Sequence, residues 1–479
     1  MSASSLASQP NGQAADGGQA VGAGQAAGAG QAADAGQVTG SGCEPRRGLA
    51  GRVPPLLRER TFRRYWSAQS ISMCGDQVTS IALPLAAVLV LHASAAQMGY
   101  LTAAVWLPSL LFAMHAGVLA DRLGRRRVIM ITADLGRAAL LTSVPVCYAL
   151  HVLTLAQLFG VAFGTGTLSI AFTVSDSSLS VAVMPDGQYV EGNSLVYASR
   201  AFSFVGGPSL GGLLVQLFTA PFALLADALS FLGSAFFLRR IRPAEAPANR
   251  GGPGALTAGS RFIARSPIVR SSLLSVSIVN FFNFVFTALM VLYATRALHI
   301  RPGVLGLVLG AGAVGGVIGS LATTRLSRRI GIGWTYTLGG LLFTAPLLGW
   351  PLAGGPRVLV LSLLFAAEFL SGFGVMLLDI SIGSIFAVAI PDELRSRVSG
   401  AFQAVNYGTR PLGALAGGAL GTFIGLRPTL WIAVVGGTAG ALLLLASPLP
   451  RFRMPAPDGS APDRDAVPPA AAGTAGGAA

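Results

Sequence analysis

GVLADRLGRRR, residues 117–127, lies between two apolar runs, AAVWLPSLLFAMHA (103–116) and VIMITADLGRAALLTSVPV (128–146). A helix that crosses hydrocarbon needs roughly 20 mostly apolar residues, and each run supplies most of that length. An aspartate, four arginines and two glycines packed between them read as a polar turn joining two membrane helices at a water-facing surface.

The rest of the chain repeats the same alternation. Its 479 residues are 52% hydrophobic and only 11% charged, with a mean hydropathy of +0.64, more than a soluble core of this length requires. Apolar stretches separated by short polar breaks give twelve expected spans: 65–91, 97–119, 128–150, 153–177, 194–217, 221–241, 271–295, 303–324, 333–354, 358–382, 400–424 and 428–449. Alternating strand patterning is absent, so the expected fold is an all-α membrane protein with 12 transmembrane helices rather than a barrel.

Formal net charge is +14, and every one of the 33 basic residues is arginine. The arginines crowd 46–64, 122–127, 239–270 and 325–329, whereas the breaks LHASAAQ (91–97) and LFTAP (217–221) carry none. With twelve spans the crowded segments fall on one side, which the positive-inside rule makes cytoplasmic. The chain is therefore expected in the cell membrane with both termini cytoplasmic. Arginines at helix ends with no accompanying soluble domain argue against nucleic acid as a partner.

Residues 1–54 begin with a Gly/Ala/Gln tract too poor in apolar bulk to fold, and 450–479 form a second tail of the same kind. Between 55–241 and 271–449 lies the longest internal connection, 242–270, whose end RFIARSPIVR (261–270) reads as a basic amphipathic helix on the membrane surface. Cys43, Cys74 and Cys147 show no metal spacing. The division into halves has support in an internal repeat: Arg-Leu-Gly-Arg-Arg (122–126) recurs 203 residues later as Arg-Leu-Ser-Arg-Arg (325–329). At the same offset Pro208 in GGPSLGG (206–212) meets Pro411 in RPLGALAGG (410–418). Two pseudo-symmetric six-helix halves follow, with a solute site expected at their interface near the midplane.

These motifs carry a resemblance. The chain resembles the major facilitator superfamily, whose signature loop between the second and third helices is matched at Gly117, Leu119, Asp121, Arg122, Gly124, Arg125 and Arg126. FRRYWSAQSISMCGDQ (62–77), ADALSF (226–231), RFIARSPIVR and IPDELRSRVSGAFQ (390–403) resemble the bacterial branch of enterobactin-type siderophore exporters and macrolide efflux proteins. The resemblance implies transport of a small organic molecule by alternating access. It also assigns Gly207, Pro208, Gly211 and Gly212 to the ending of a fifth-helix motif associated with proton-exchanging exporters, with Ser194 and Ser203 where glycines are expected upstream.

Ionisable side chains deep in a membrane cost about 2.5–3.5 kcal/mol on insertion scales and mark candidate transport positions. Asp76, mid-way along the first span, is the first candidate for proton coupling and Glu368, mid-way along the tenth, the second. Asp134 and Arg137 lie one turn apart in the third span and are expected to join Asp121, Arg122, Arg125 and Arg126 in a cytoplasmic charge gate. Arg127 is expected only to set topology. Arg200, Asn280, Asn283, Gln403, Asn406 and Arg410 are candidate polar residues of the solute path, while Asp227 and Asp379, nearer span ends, suit packing as well as function. His115 receives no role.

No HExxH, GxSxG or GxxxxGK[ST] context is present, so neither an enzyme nor ATP-driven pumping is expected, and no metal or cofactor is called for. The expected partners are the lipid bilayer, a small-molecule solute and protons, for a chain acting as a monomer. A proton-coupled exporter is the leading reading; a proton-coupled importer and a transport-inactive sensor or scaffold are the alternatives.

Overall fold

The computed structural model describes residues 55–123, 125–185, 188–241 and 261–453; within these the side chains of 113–123, Pro55, Ser178, Val190, 392–393 and 396–397 are outside the described set. The expectations for 1–54, for 242–260 and for 454–479 lie outside the described residues. A single turn, Pro55–Arg58, precedes twelve helical columns, and no strand occurs among the described residues.

The columns are α1 (Arg60–Leu89), α2 (Ala95–Leu123), α3 (Arg126–Ala149), α4 (Leu155–Val183), α5 (Tyr189–Phe218), α6 (Ala220–Arg239), α7 (Pro267–Arg296), α8 (Pro302–Ile330), α9 (Ile332–Thr344), α10 (Arg357–Ala389), α11 (Asp392–Phe423) and α12 (Leu426–Leu442). Nine of them, among the described residues, are long and apolar enough to cross a membrane. The other three have local reasons to fall short. Helix α9 is interrupted at Pro346 by the tighter turn Ala345–Leu348 before resuming at Gly349–Leu352, α11 starts with the polar run DELRSRVSG, and α12 has only 17 residues.

Within the first six helices α1 packs along α5 and α6, α3 along α4 and α6, and α2 along α4. The second six repeat this plan: α7 packs along α11 and α12, and α10 along α8 and α9. The two sets meet chiefly where α2 lies on α11 and α5 on α8. Lipid-facing side chains such as Leu321 and Phe423 stay exposed, as expected of a protein whose outer solvent is hydrocarbon.

The turns at the two ends of the bundle differ in chemistry. At the end opposite the turn Arg122–Arg127, His92, His151 and His299 each take a left-handed backbone conformation after a leucine, at the ends of α1, α3 and α7. The Val152 amide then reaches back five residues to Cys147, as in a Schellman turn, and the Ala93 and Ile300 amides reach back six, to Ala87 and Ala294, closing those helix ends. At the arginine end, Arg64 donates to the Arg240 carbonyl at 2.6 Å and Arg127 donates to the Ile241 carbonyl. Arg127 therefore fastens the end of α6 in addition to any effect on topology.

The reading of 261–270 as one amphipathic helix changes. Residues 261–265 form a separate turn, Ser266 caps α7 by accepting from the Val269 amide at 3.5 Å, and Pro267 opens the transmembrane helix itself. Proline is favoured at that position because its missing N–H costs nothing there. Ile263 packs with Val269, Ile390 and Val398, docking the segment on the second half.

Candidate transport site

Four groups of polar side chains sit inside the bundle. The first surrounds Asp76 in the middle of α1. Asp76 is exposed and shares a face of α1 with Tyr65 and Gln69, eleven and seven residues back, both of which reach across to α4. Asp76 interacts electrostatically with Arg137, Asp134 and Asp227. Asp227 itself is 1% exposed and accepts from the hydroxyls of Thr79 and Ser230, the latter at 2.8 Å. Gly75 makes this possible, because a β-carbon there would occupy the space of the Asp227 carboxylate and the Ser230 hydroxyl.

Asp134 and Arg137 pair with each other on α3 and are both buried, at 0% and 3% exposure. The guanidinium lies 4.0 Å from the Phe231 ring centre on α6 and 4.6 Å from Phe172 on α4, and donates to Ser169 at 3.3 Å. Among the described residues, their partners come from the interior of the first half. The side chains of Gly117, Asp121, Arg122 and Gly124, with Leu119 and His115, lie outside the described residues. Arg125 is exposed just before α3 and Arg126 opens that helix.

The second group was missed by the sequence reading. Asp176 on α4 accepts from the Tyr65 hydroxyl at 2.8 Å and from the Gln69 amide, and interacts electrostatically with Arg200 of α5. Its setting, SDSS, lies at the expected end of a span, but α4 continues to Val183 and keeps Asp176 within the helix. The signal available was the pairing of an acid in one span with Tyr and Gln four residues apart in another.

The third group joins the halves. Arg410 of α11 lies 4.3 Å from the ring centre of Trp106 on α2, 4.6 Å from Tyr407 and 5.3 Å from Phe284 on α7. It donates to the Asn406 amide oxygen at 3.4 Å and interacts with Asp379 of α10. Aligning α1 with α7 end to end, 30 residues each, puts Asn283 where α1 has Asp76, so the pseudo-symmetric position is polar but uncharged. Asn280 spends its amide on the Val276 carbonyl at 3.0 Å, and Gln403 is half-buried on α11.

In the fourth group Glu368 accepts from the Trp350 indole at 2.9 Å and stands against Gly312 of α8, its Oε2 3.4 Å from where a β-carbon would be. Trp350 is fully buried. This carboxylate is therefore held within the second half and does not meet the Asp76 group.

The fifth-helix motif serves two contacts at once. Gly207 and Gly211 face α1, a β-carbon on the first colliding with Gln77 and one on the second lying 3.1 Å from the Val78 Cα. Pro208 and Gly212 face α8, where Gly212 would meet the Pro302 carbonyl and the Gly306 Cα, the latter at 3.0 Å. In α11 the same division appears: Gly413 and Gly417 face Phe281 and Val285 of α7, while Ala414 and Gly418 face Gly99 of α2. Gly212 and Gly418 are 206 residues apart, so packing sets a repeat offset three longer than the matched prolines suggest. Both inter-half contacts lie toward the end away from the arginine turns.

A family model described as "Major Facilitator Superfamily" matches residues 65–408, and again 272–474. The chain belongs to the major facilitator superfamily. It is a multi-pass membrane transporter rather than an enzyme. It is 26% identical over 383 residues to the uncharacterised MFS-type transporter YfiS of Bacillus subtilis, covering 78% of this chain and 89% of that one. It is 28% identical over 409 residues to the multidrug efflux pump Tap of Mycobacterium tuberculosis, covering 81% and 92%. The enterobactin exporter EntS of Citrobacter koseri is 25% identical over 84% of this chain and 95% of its own. Among solved structures, a bacterial homologue of ferroportin matches with a TM-score of 0.64 in its inward-facing state, at 16% identity over 81% and 98% of the two chains. In its outward-facing state the TM-score is 0.54, over 81% and 99%.

Proposed function

We propose that this major facilitator is a proton-coupled exporter of a small organic molecule, working by alternating access in the cell membrane with both termini cytoplasmic. The observation that carries the reading is the Asp76 group. An acid that opens onto the interior of the bundle, beside a second buried carboxylate and a buried arginine, has the parts for exchanging a proton against a moving charge. Deep in the first half Asp76, Asp134, Asp176 and Asp227 face Arg137 and Arg200, and the surplus of carboxylates gives that half a place to carry a proton.

Export in particular is supported by the α5 motif and by the relatives Tap and EntS, one named a multidrug efflux pump and the other an enterobactin exporter. Contact between the halves away from the arginine turns supports a resting form open toward the cytoplasm, where an exporter takes up its load. The loop Gly117–Arg127 fits a gate on that side, with Asp121→Asn expected to slow turnover while solute binding stays measurable.

Everted vesicles with an acidic lumen test the proposal. Accumulation of a fluorescent amphipathic drug driven by proton outflow supports export. Asp76→Asn should abolish that accumulation while inserting normally; transport at the wild-type level by this variant would remove Asp76 from the mechanism. Efflux from the vesicles under the same gradient would favour import.

A further inference from the structure

On the lipid-facing side of the first half, α5 and α6 splay apart over α1 and leave a groove of about 790 Å³. That is within the ~300–1,000 Å³ of small-molecule sites. Its rim is apolar, with Phe202 73% and Leu229 65% exposed. Its floor is Ser70, Cys74 and Gly75. The polar atoms of that floor are already satisfied from α5: Ser70 donates to the Ser199 hydroxyl at 2.8 Å, and the Cys74 sulfur is 3.0 Å from the Ser203 hydroxyl. The groove therefore presents hydrocarbon rather than hydrogen-bonding partners.

The second half shows what is missing. With α1 and α7 aligned end to end, Cys74 and Gly75 correspond to Phe281 and Phe282. Those rings meet edge to face at 5.3 Å, and Phe282 presses on Gly436 of α12. Two phenyl groups fill in one half the space that stands open in the other.

At the arginine end the groove side of α6 leads to a polar hollow of about 560 Å³, lined by Thr61, Arg64, Arg239 and Arg240. Leu229, Phe236 and Arg240 lie on one exposed stripe of α6, and the Arg240 guanidinium sits 4.0 Å from the Phe236 ring centre. From 229 to 240 the helix rises about 16 Å, close to half of the ~30 Å hydrocarbon core. Charge at one end and an apolar trough one leaflet long match a single amphiphile in size and polarity. Guanidinium groups are suited to phosphate.

We propose that this surface binds one anionic phospholipid, its acyl chain over Cys74 and Gly75 and its phosphate on Arg239, Arg240 and Arg64. The site is independent of the transport reading.

The full-length protein in nanodiscs carrying phosphatidylglycerol with a photoreactive acyl chain tests it, with labelled peptides located by mass spectrometry. Labelling is expected on α1 and α5 within 66–78 and 198–210, and to fall at least threefold in Ala198→Trp, which fills the trough from an exposed position. Leu229→Trp provides a second filling variant from the rim if the first fails to fold. Arg239→Gln with Arg240→Gln should remove at least threefold of the preference for phosphatidylglycerol over phosphatidylcholine. Equal labelling of the α11/α12 side, or labelling unchanged in a folded filling variant, would overturn the chain site. Equal labelling by both headgroups in the wild-type protein would overturn the selection of an anionic lipid by these arginines.

Discussion

The guanidinium of Arg410 stands 4.3 Å from the ring centre of Trp106, and the two residues belong to opposite halves of the transporter. A cation over an indole face is worth about 0.5–2 kcal/mol, more when water is excluded. The pair adds to the backbone contact of Gly99 with Gly418, nearer the end of the same two helices that lies away from the Arg122–Arg127 turn. Trp106→Leu should therefore shift the balance of the two orientations about three- to tenfold away from the form closed at that end, with Trp106→Phe intermediate. Spin-label distances between the Ala95 end of α2 and the Phe423 end of α11 read the populations. Identical distributions in all three proteins would deny the pair any part in closure.

Gly212 and Gly206 lie six residues apart in one helix and predict opposite outcomes. A β-carbon on Gly212 collides with the Pro302 carbonyl, whereas one on Gly206 meets nothing within 4 Å. Overpacking of this kind costs about 1–3 kcal/mol. Gly212→Val is expected to cut turnover at least fivefold, and Gly206→Ala to leave it within twofold. Vesicle transport rates at matched protein level decide between this and a uniform effect along the glycine run.

Glu368 should prove to be a structural acid. Trp350→Phe removes the indole donor and leaves a carboxylate inside the second half, which costs about 1–3 kcal/mol. The expected result is a melting temperature lower by several degrees, with proton dependence unchanged. Glu368→Gln keeps an acceptor for the indole and should transport at close to the wild-type rate. Loss of proton coupling in Glu368→Gln would instead move Glu368 into the transport machinery.

Arg127 ties the start of α3 to the carbonyl of Ile241, the last described residue before the connection between the halves. Arg127→Ala is expected to destabilise the first half by about 1–2 kcal/mol. Thermal unfolding should show it, with transport at low temperature intact. Reversal of membrane orientation in this variant would show that topology is its main role after all.

Long apolar runs and arginine-rich turns made the helix count and the order of the columns legible, because the bilayer leaves a chain few other ways to satisfy its backbone. Register was harder. Pro208 and Pro411 align at an offset of 203, but a proline marks where a helix lacks a hydrogen bond, not which face touches a neighbour. The faces are set by the absent β-carbons of Gly207, Gly212, Gly413 and Gly418, and these give 206. The same limit explains the second loop motif: Arg325–Arg329 lies wholly inside α8, whereas Arg122–Arg126 spans the break between α2 and α3. Buried acids were legible as singletons and not as groups. In the sequence Asp227 suits packing and function alike, and only Thr79 and Ser230 show it as part of a group; Asp176, at the expected end of a span, is not singled out.

Gly207 rests on Gln77, the neighbour of Asp76, and Pro208, the next residue, touches Gly306 across the divide. The path from the proposed proton carrier to the contact between the halves then runs through two pairs of neighbouring residues, Asp76–Gln77 and Gly207–Pro208. A displacement of α1 by a fraction of an ångström has little slack to absorb it before reaching the opposite half, since Gln77 meets Gly207 through its first side-chain carbons and Gly207 has no side chain of its own to flex. Such a joint behaves as a stiff fulcrum with a short lever arm, in which small local shifts and large distal excursions are geometrically tied.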